Sequence, residues 1–131
     1  MGGYTHKNLS DDVPDAAANH EVSGIEAHFG RSSIDSEHLG VSLFRYAPDF
    51  RAPFGHYHRE QEEAYVVVSG SGRMKLGEDL IDLRQWDVVR VAPEVMRGIQ
   101  AGPEGLELIV VGGPRPAEGD GEMDPNWWPA D

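Results

Sequence analysis

Between residues 40 and 112 glycine, proline and aspartate cut the chain into short runs rich in branched residues: YVVVSGSG, LGEDLIDL, WDVVRVAP, GIQAGPEG and LELIVVGG. Branched and aromatic side chains suit a pleated surface, and the punctuating residues are turn formers. No segment carries an apolar stripe at helical spacing over ten residues. Strands are expected at 41–47, 64–69, 72–76, 80–83, 88–91, 96–101 and 106–111. Short strands this close together, with no helices between them, build an antiparallel sandwich or small barrel and not a parallel α/β sheet. The expected class is all-β.

The 131 residues suffice for one domain. Eleven basic against 23 acidic side chains give a net charge of −12, which disfavours nucleic acid as a partner because nothing would neutralise phosphates. The charge is uneven. Residues 1–21 hold −3 and residues 114–131 hold −4, leaving −5 on the apolar-rich span between. Residues 22–113 are therefore expected to form the folded body, with 1–21 a flexible acidic tail and 114–131 an acidic extension. No 18 apolar residues run together and MGGYTHKNLSDD lacks the sections of a signal peptide, so no membrane association and a cytoplasmic location are expected. With no cysteine in the chain, histidine and carboxylate are the available metal ligands and bases.

One stretch concentrates chemistry: PFGHYHREQEEAYVVVSGSG, residues 53–72. His56 and His58 are one residue apart, so on an extended chain both imidazoles leave the same face. If Arg59 to Glu62 form a turn, Glu63 opens the returning strand and its carboxylate joins the two rings. Such a hairpin would present two nitrogens and one oxygen to a single ion.

This H-x-H, four residues, E, six residues, G spacing resembles the first motif of the cupin superfamily, whose members are double-stranded β-helix (jelly-roll-like) barrels. In that motif two histidines and a glutamate are metal ligands. A second motif, roughly G-x5-P-x-G-x2-H, supplies a third histidine, and its region here is DVVRVAPEVMR, residues 87–97. Pro93 matches the proline, Val95 stands at the second glycine and Arg97 at the histidine. A guanidinium stays protonated and has no lone pair to donate, so Arg97 is no ligand. All six histidines lie at or before residue 58, and only His28 or His38 is placed to substitute.

The resemblance implies two readings. In one, His56, His58 and Glu63 hold a divalent ion such as iron, manganese, nickel or zinc. In the other, Glu63 pairs with Arg97, no metal binds, and the pocket takes an anionic or hydroxylated small molecule. The first fits a metal-dependent oxygenase or isomerase/epimerase, with Tyr65 handling protons and Arg97 anchoring substrate. The second fits a binding protein using His56, His58, Glu63, Tyr65 and Arg97, and a storage role without a ligand is a third class. Enzymatic activity is left open.

Alternation puts Tyr65 and Val67 on the Glu63 face, Phe54 with the histidines, and Val95 and Ile99 with Arg97, which together describe an apolar cavity with a few polar groups. Glu60 and Glu62 are expected in solvent, as are Arg45, Arg51, Arg73 and Arg90. Glu107 faces away from Leu106 and Leu108. Trp127 and Trp128 are costly to leave in water, so they should cover either their own barrel or a second subunit. Small cupins are commonly homodimers, which makes a second copy the expected partner beside the small molecule.

Overall fold

The computed structural model describes residues 3–18, 23–116, 119–125 and 127–128. In chain order its strands are β1 (Ile25–Phe29), β2 (Gly40–Tyr46), β3 (Gly55–His58), β4 (Glu63–Leu76), β5 (Asp79–Leu83), β6 (Val88–Val91), β7 (Arg97–Gly112) and β8 (Gly121–Asp124). One helical turn, α1 (Gly30–Ser33), lies between β1 and β2. All strand pairings are antiparallel: β1 with β2, β2 with β7, β3 with β7 and β8, and β4 with β5, β6 and β7. The fold is all-β, as the punctuated runs indicate. Among the described residues no helix is long and apolar enough to cross a membrane.

Four of the expected strands are halves of two. Residues 64–69 and 72–76 belong to the single β4, and 96–101 and 106–111 to the single β7. The SGSG and GPEG segments look like turns but act as a shared bend. Gly70 and Gly105 both take φ of 80°, a conformation that costs a side-chain-bearing residue free energy. A Cβ on Gly70 would also collide with the Gly105 carbonyl oxygen. The ladder shifts here, with Ser71 alone opposite residues 102–105, and resumes beyond. Paired bulges of this kind bend a sheet toward closure without ending its strands. β1 and β8, only five and four residues long, are not among the expected strands, and β3, expected as one arm of a hairpin, owes its extension like them to partners distant in the chain.

Inside, alternation works as expected. Tyr65, Val67, Leu106, Leu108 and Val110 point into one core with Met74, Leu83, Val91 and Ile99. Val67 and Leu108 face each other across the β4–β7 ladder, and neither is exposed at all. Glu107 points outward, where it accepts from Arg45 Nε at 2.7 Å.

Both flanking segments touch the barrel. Val13 is buried, and the Asp15 carboxylate accepts the backbone N–H groups of Ala17 and Ala27, each at 2.9 Å. Buried His28 meets the Val13 carbonyl at 2.8 Å through Nδ1 and Glu26 at 3.1 Å through Nε2. The bond to Val13 is the main cause of a raised His28 pKa, with Glu26 and Asp15 adding to it against burial. A raised folded-state pKa means stabilisation that is complete below the unfolded value of about 6.5 and lost as pH rises through the folded one. Amide protection of residues 13–18, corrected for intrinsic exchange, should therefore weaken as the pH rises above the unfolded value of about 6.5. His28→Gln should remove that dependence; protection that stays flat in the native protein would contradict it.

At the other end Trp127 and Trp128 cover their own barrel. A Cβ at Gly98 would lie 2.8 Å from Trp127 Cδ1 and 2.9 Å from Trp128 Nε1, so glycine leaves the seat the indoles occupy. Lys75 sits 4.1 Å from the centre of the Trp127 ring, and Arg51 and Arg73 lie 5.0 and 5.6 Å from that of Trp128. The two arginines expected in solvent thus hold an indole by cation–π contact.

Candidate functional site

The alternation of β3 sends His56 and His58 into the barrel, where their rings meet edge to face with centroids 5.2 Å apart. The expected hairpin is not formed. β3 pairs with β7 and β8, whereas Glu63 at the start of β4 pairs with Val91 and Gly112. Residues 59–62 therefore carry the chain from one wall to another, and the three side chains converge across the interior. Glu63 Oε1 lies 3.3 Å from His58 Nε2 and 3.8 Å from His56 Nε2. Two ligands about 2.1 Å from one ion are about 3.0 Å apart at a right angle and about 3.4 Å apart at a tetrahedral one. The His58–Glu63 spacing matches that range, the His56–Glu63 spacing is a few tenths of an ångström wider, and the three ligand atoms, all within 4.8 Å of one another, would draw in slightly around one cation.

A fourth residue orients this set, and the sequence reading misses it. Asp120, 2% exposed, meets His58 Nδ1 at 2.8 Å and accepts the backbone N–H groups of Glu60 and Gln61, each at 2.8 Å. With Nδ1 tied to Asp120, the ring is oriented so that Nε2 faces Glu63 and the interior. That Nε2 is buried without a hydrogen-bond partner. Burial opposes the charge on Asp120, but the two backbone donors and His58 outweigh it and hold its pKa below the usual carboxylate value. Asp120 comes from the acidic extension, where nothing in the local pattern separates it from its solvated neighbours.

Glu63 is held on several sides. Burial would raise its pKa, but bonds from His56, His58 and Tyr65 overcome that and hold the carboxyl well below its ordinary range. The His58 pKa is raised, first by Glu63 and further by Asp120, against burial. Tyr65 donates its hydroxyl hydrogen to Glu63 Oε1 at 2.8 Å. Burial and then the Glu63 charge push the Tyr65 pKa up, and the protonated hydroxyl is engaged as a donor to Glu63.

Arg97 joins the cluster as expected, fully buried with Nη1 3.5 Å from Glu63 Oε1. Its Nη2 donates to the Ala92 carbonyl at 2.8 Å and the Pro93 carbonyl at 3.4 Å. Counted strictly from Val95, the second-motif histidine position falls on Gly98, which faces the Trp127 and Trp128 indoles outside the barrel. Strand alternation gives the inward position to Arg97. Neither proposed substitute ligand reaches the site: His28 is engaged with Val13 and Glu26, and His38 has 76% of its side chain exposed. His20 lies outside the described residues.

The four groups open into a cavity of about 700 Å³. Phe54, Tyr65 and Ile99 line it as expected; Val95 packs against the core instead, and Val67 lies within it. Glu60 and Glu62 are exposed, as expected, with Glu62 bonded to Arg90. The opposite wall is a row of rings that the sequence reading does not anticipate. Phe29 and Phe44 meet edge to face at 5.6 Å, Phe44 and Tyr46 stack at 6.2 Å, and Tyr46 and Phe50 stack at 5.7 Å. Phe44 and Tyr46 alternate along β2, which was the available signal; Phe29 and Phe50 come from other segments.

No family model matches the sequence, and no curated protein matches it. Solved structures do. A cupin protein from Bacteroides fragilis is 21% identical with a TM-score of 0.72, covering 89% of each chain. Streptomyces PAC13, solved with uridine, is 14% identical with a TM-score of 0.72, covering 91% of this chain and 89% of that one. The polyketide cyclase RemF from Streptomyces resistomycificus is 16% identical with a TM-score of 0.68, covering 82% and 78%. Identities this low speak for the backbone alone. Antiparallel strands bent around an inward H-x-H and glutamate, and whole-chain likeness to these barrels, lead to one conclusion: the chain has the double-stranded β-helix fold of the cupins.

Proposed function

We propose that the barrel binds a small molecule beside a divalent cation held by His56, His58 and Glu63. The observation that carries this reading is the placement of His58 between two carboxylates: its Nδ1 is fixed by Asp120 at 2.8 Å, and its buried Nε2 lies 3.3 Å from Glu63 Oε1 without a well-formed hydrogen bond, where a cation could take the place of a proton. A buried polar atom without a well-formed hydrogen bond costs free energy, and carboxylate-oriented imidazole is a common metal-ligand arrangement. Two nitrogens and one carboxylate suit iron, manganese, nickel or zinc. Such an ion would supply Lewis acidity toward a ligand oxygen. Arg97 opposes it electrostatically, while Glu63 and Asp120 together outweigh that single positive charge.

Binding is favoured over catalysis because Tyr65 is committed to Glu63 and the Arg97 guanidinium is buried against Glu63 and two carbonyls. That PAC13 was solved with uridine is in keeping with a small-molecule role. A metal-dependent oxygenase or isomerase is the second reading, favoured by a three-ligand set that leaves coordination positions open.

The test is elemental analysis of protein purified without chelator, followed by calorimetric titration with Mn²⁺ and Zn²⁺. Near-stoichiometric uptake is expected, and Asp120→Asn should weaken it by about 10- to 100-fold, since loss of an orienting partner typically costs that much. A native protein that takes up no cation, or an Asp120→Asn protein that binds as well as the native one, would overturn the reading.

A further inference from the structure

The chain carries a net charge of −12, yet Glu63 is the single carboxylate among the described cavity-lining residues, against Arg31, Arg97, Arg115 and two imidazoles. The interior has the opposite sign to the molecule. Arg97 is matched by Glu63 at 3.5 Å. Arg31 and Arg115 are not matched: among the described residues no carboxylate bonds to either, and Arg31 Nη2 donates to the Gly113 carbonyl at 2.8 Å. Arg31 is half-buried against Gly40, where a Cβ would come within 2.7 Å of Nη2. Burial and then the neighbouring Arg115 lower its pKa.

The aromatic row connects this pair to the histidine cluster. It begins at Phe29, two residues before Arg31 and 52% exposed despite its size. It reaches Tyr46, whose hydroxyl pKa is raised by burial and by the charge of Glu63. Between them Phe44 and Tyr46 stack nearly parallel, with an interplanar angle of 7°, and both line the cavity as part of an aromatic wall.

We propose that the ligand is a planar aromatic carboxylate, its ring system laid along the Phe44 and Tyr46 wall and its carboxylate held by Arg31 and Arg115. The proposal rests on the reading of the barrel as a small-molecule site and adds the chemical class. Aromatic rings pair favourably edge to face or offset-stacked, and two guanidinium groups match a carboxylate with paired donors. The volume of about 700 Å³ admits a fused two-ring acid. The acid group is assigned to Arg31 and Arg115 because, among the described residues, neither has a carboxylate partner, whereas Arg97 lies 3.5 Å from Glu63.

Calorimetry with 2-naphthoate and its neutral analogue 2-naphthalenemethanol tests this. The native protein should bind naphthoate at least about tenfold more tightly than the alcohol, a usual margin for a charge-assisted contact. Arg115→Gln, at an exposed position, should reduce that preference, and the double variant Arg31→Gln with Arg115→Gln should erase it while alcohol binding stays within about threefold. Phe44→Leu should weaken both probes. The proposal is overturned by a native protein without the preference, by a preference that survives in the folded double variant, or by Phe44→Leu leaving both affinities unchanged. Zn²⁺ titration of the same samples separates the two claims. Cation uptake without naphthoate preference removes the ligand class alone; binding of neither cation nor probe removes both.

Discussion

Replacing Arg97 by histidine raises the affinity for Mn²⁺ or Zn²⁺ by at least about 100-fold. Arg97 is unexposed, cannot lose its proton and places Nη1 3.5 Å from the Glu63 oxygen. Two unit charges about 4 Å apart interact by about 4 kcal/mol at an effective dielectric of about 20, and about 2.7 kcal/mol is already a factor of 100. The substitution also adds a donor where geometry wants one. Residue 97 is the direct partner of His56 in the β3–β7 ladder, and directly opposed side chains share a face with Cβ atoms about 4.5–5.5 Å apart. An imidazole there would stand beside that of His56. Calorimetric titration of the folded variant, with a melting curve to establish folding, makes the comparison. An affinity that stays level or falls would show that Arg97 does not occupy the missing ligand's place.

Leu108→Ala should cost about 3–5 kcal/mol of unfolding free energy. The side chain is wholly buried in the middle of β7, with β2 and β4 on either side and Phe44 and Val67 as ladder partners. Strands fixed on both sides cannot close in on a lost isobutyl group, so the cavity remains. A domain this size has about 5–15 kcal/mol in total, and the variant should be close to its limit at physiological temperature. Urea unfolding should show a lower midpoint with an unchanged slope. Val111→Ala, on the outer face and 38% exposed, should cost less than about 1 kcal/mol. Equal costs at the two positions would contradict the inward alternation of β7.

What could be read from the sequence was local in origin. Strand alternation and turn formers are short-range properties, so the all-β class, the inward side of β4 and β7 and the shared face of His56 and His58 follow directly from residue order. Gly70 and Gly105 could not be read correctly, because a glycine that ends a strand and one that bends it look alike until its partner strand is known. The His56, His58 and Glu63 grouping was right for a partly wrong reason: the spacing places them together, but across the barrel and not along a hairpin. Asp120 was beyond reach, since its only meaning comes from His58, 62 residues away. The ring wall is similar, with two of its four members side by side on β2 and the other two contributed from elsewhere.

β3 carries two of the three candidate ligands on four residues, paired with β7 through His56 alone and with β8 along its whole length. During translation both imidazoles leave the ribosome long before Asp120 and β8 are made. The cluster is thus finished only when the last strand arrives, and any ion met earlier by the nascent chain encounters His58 with neither its tautomer nor its direction fixed.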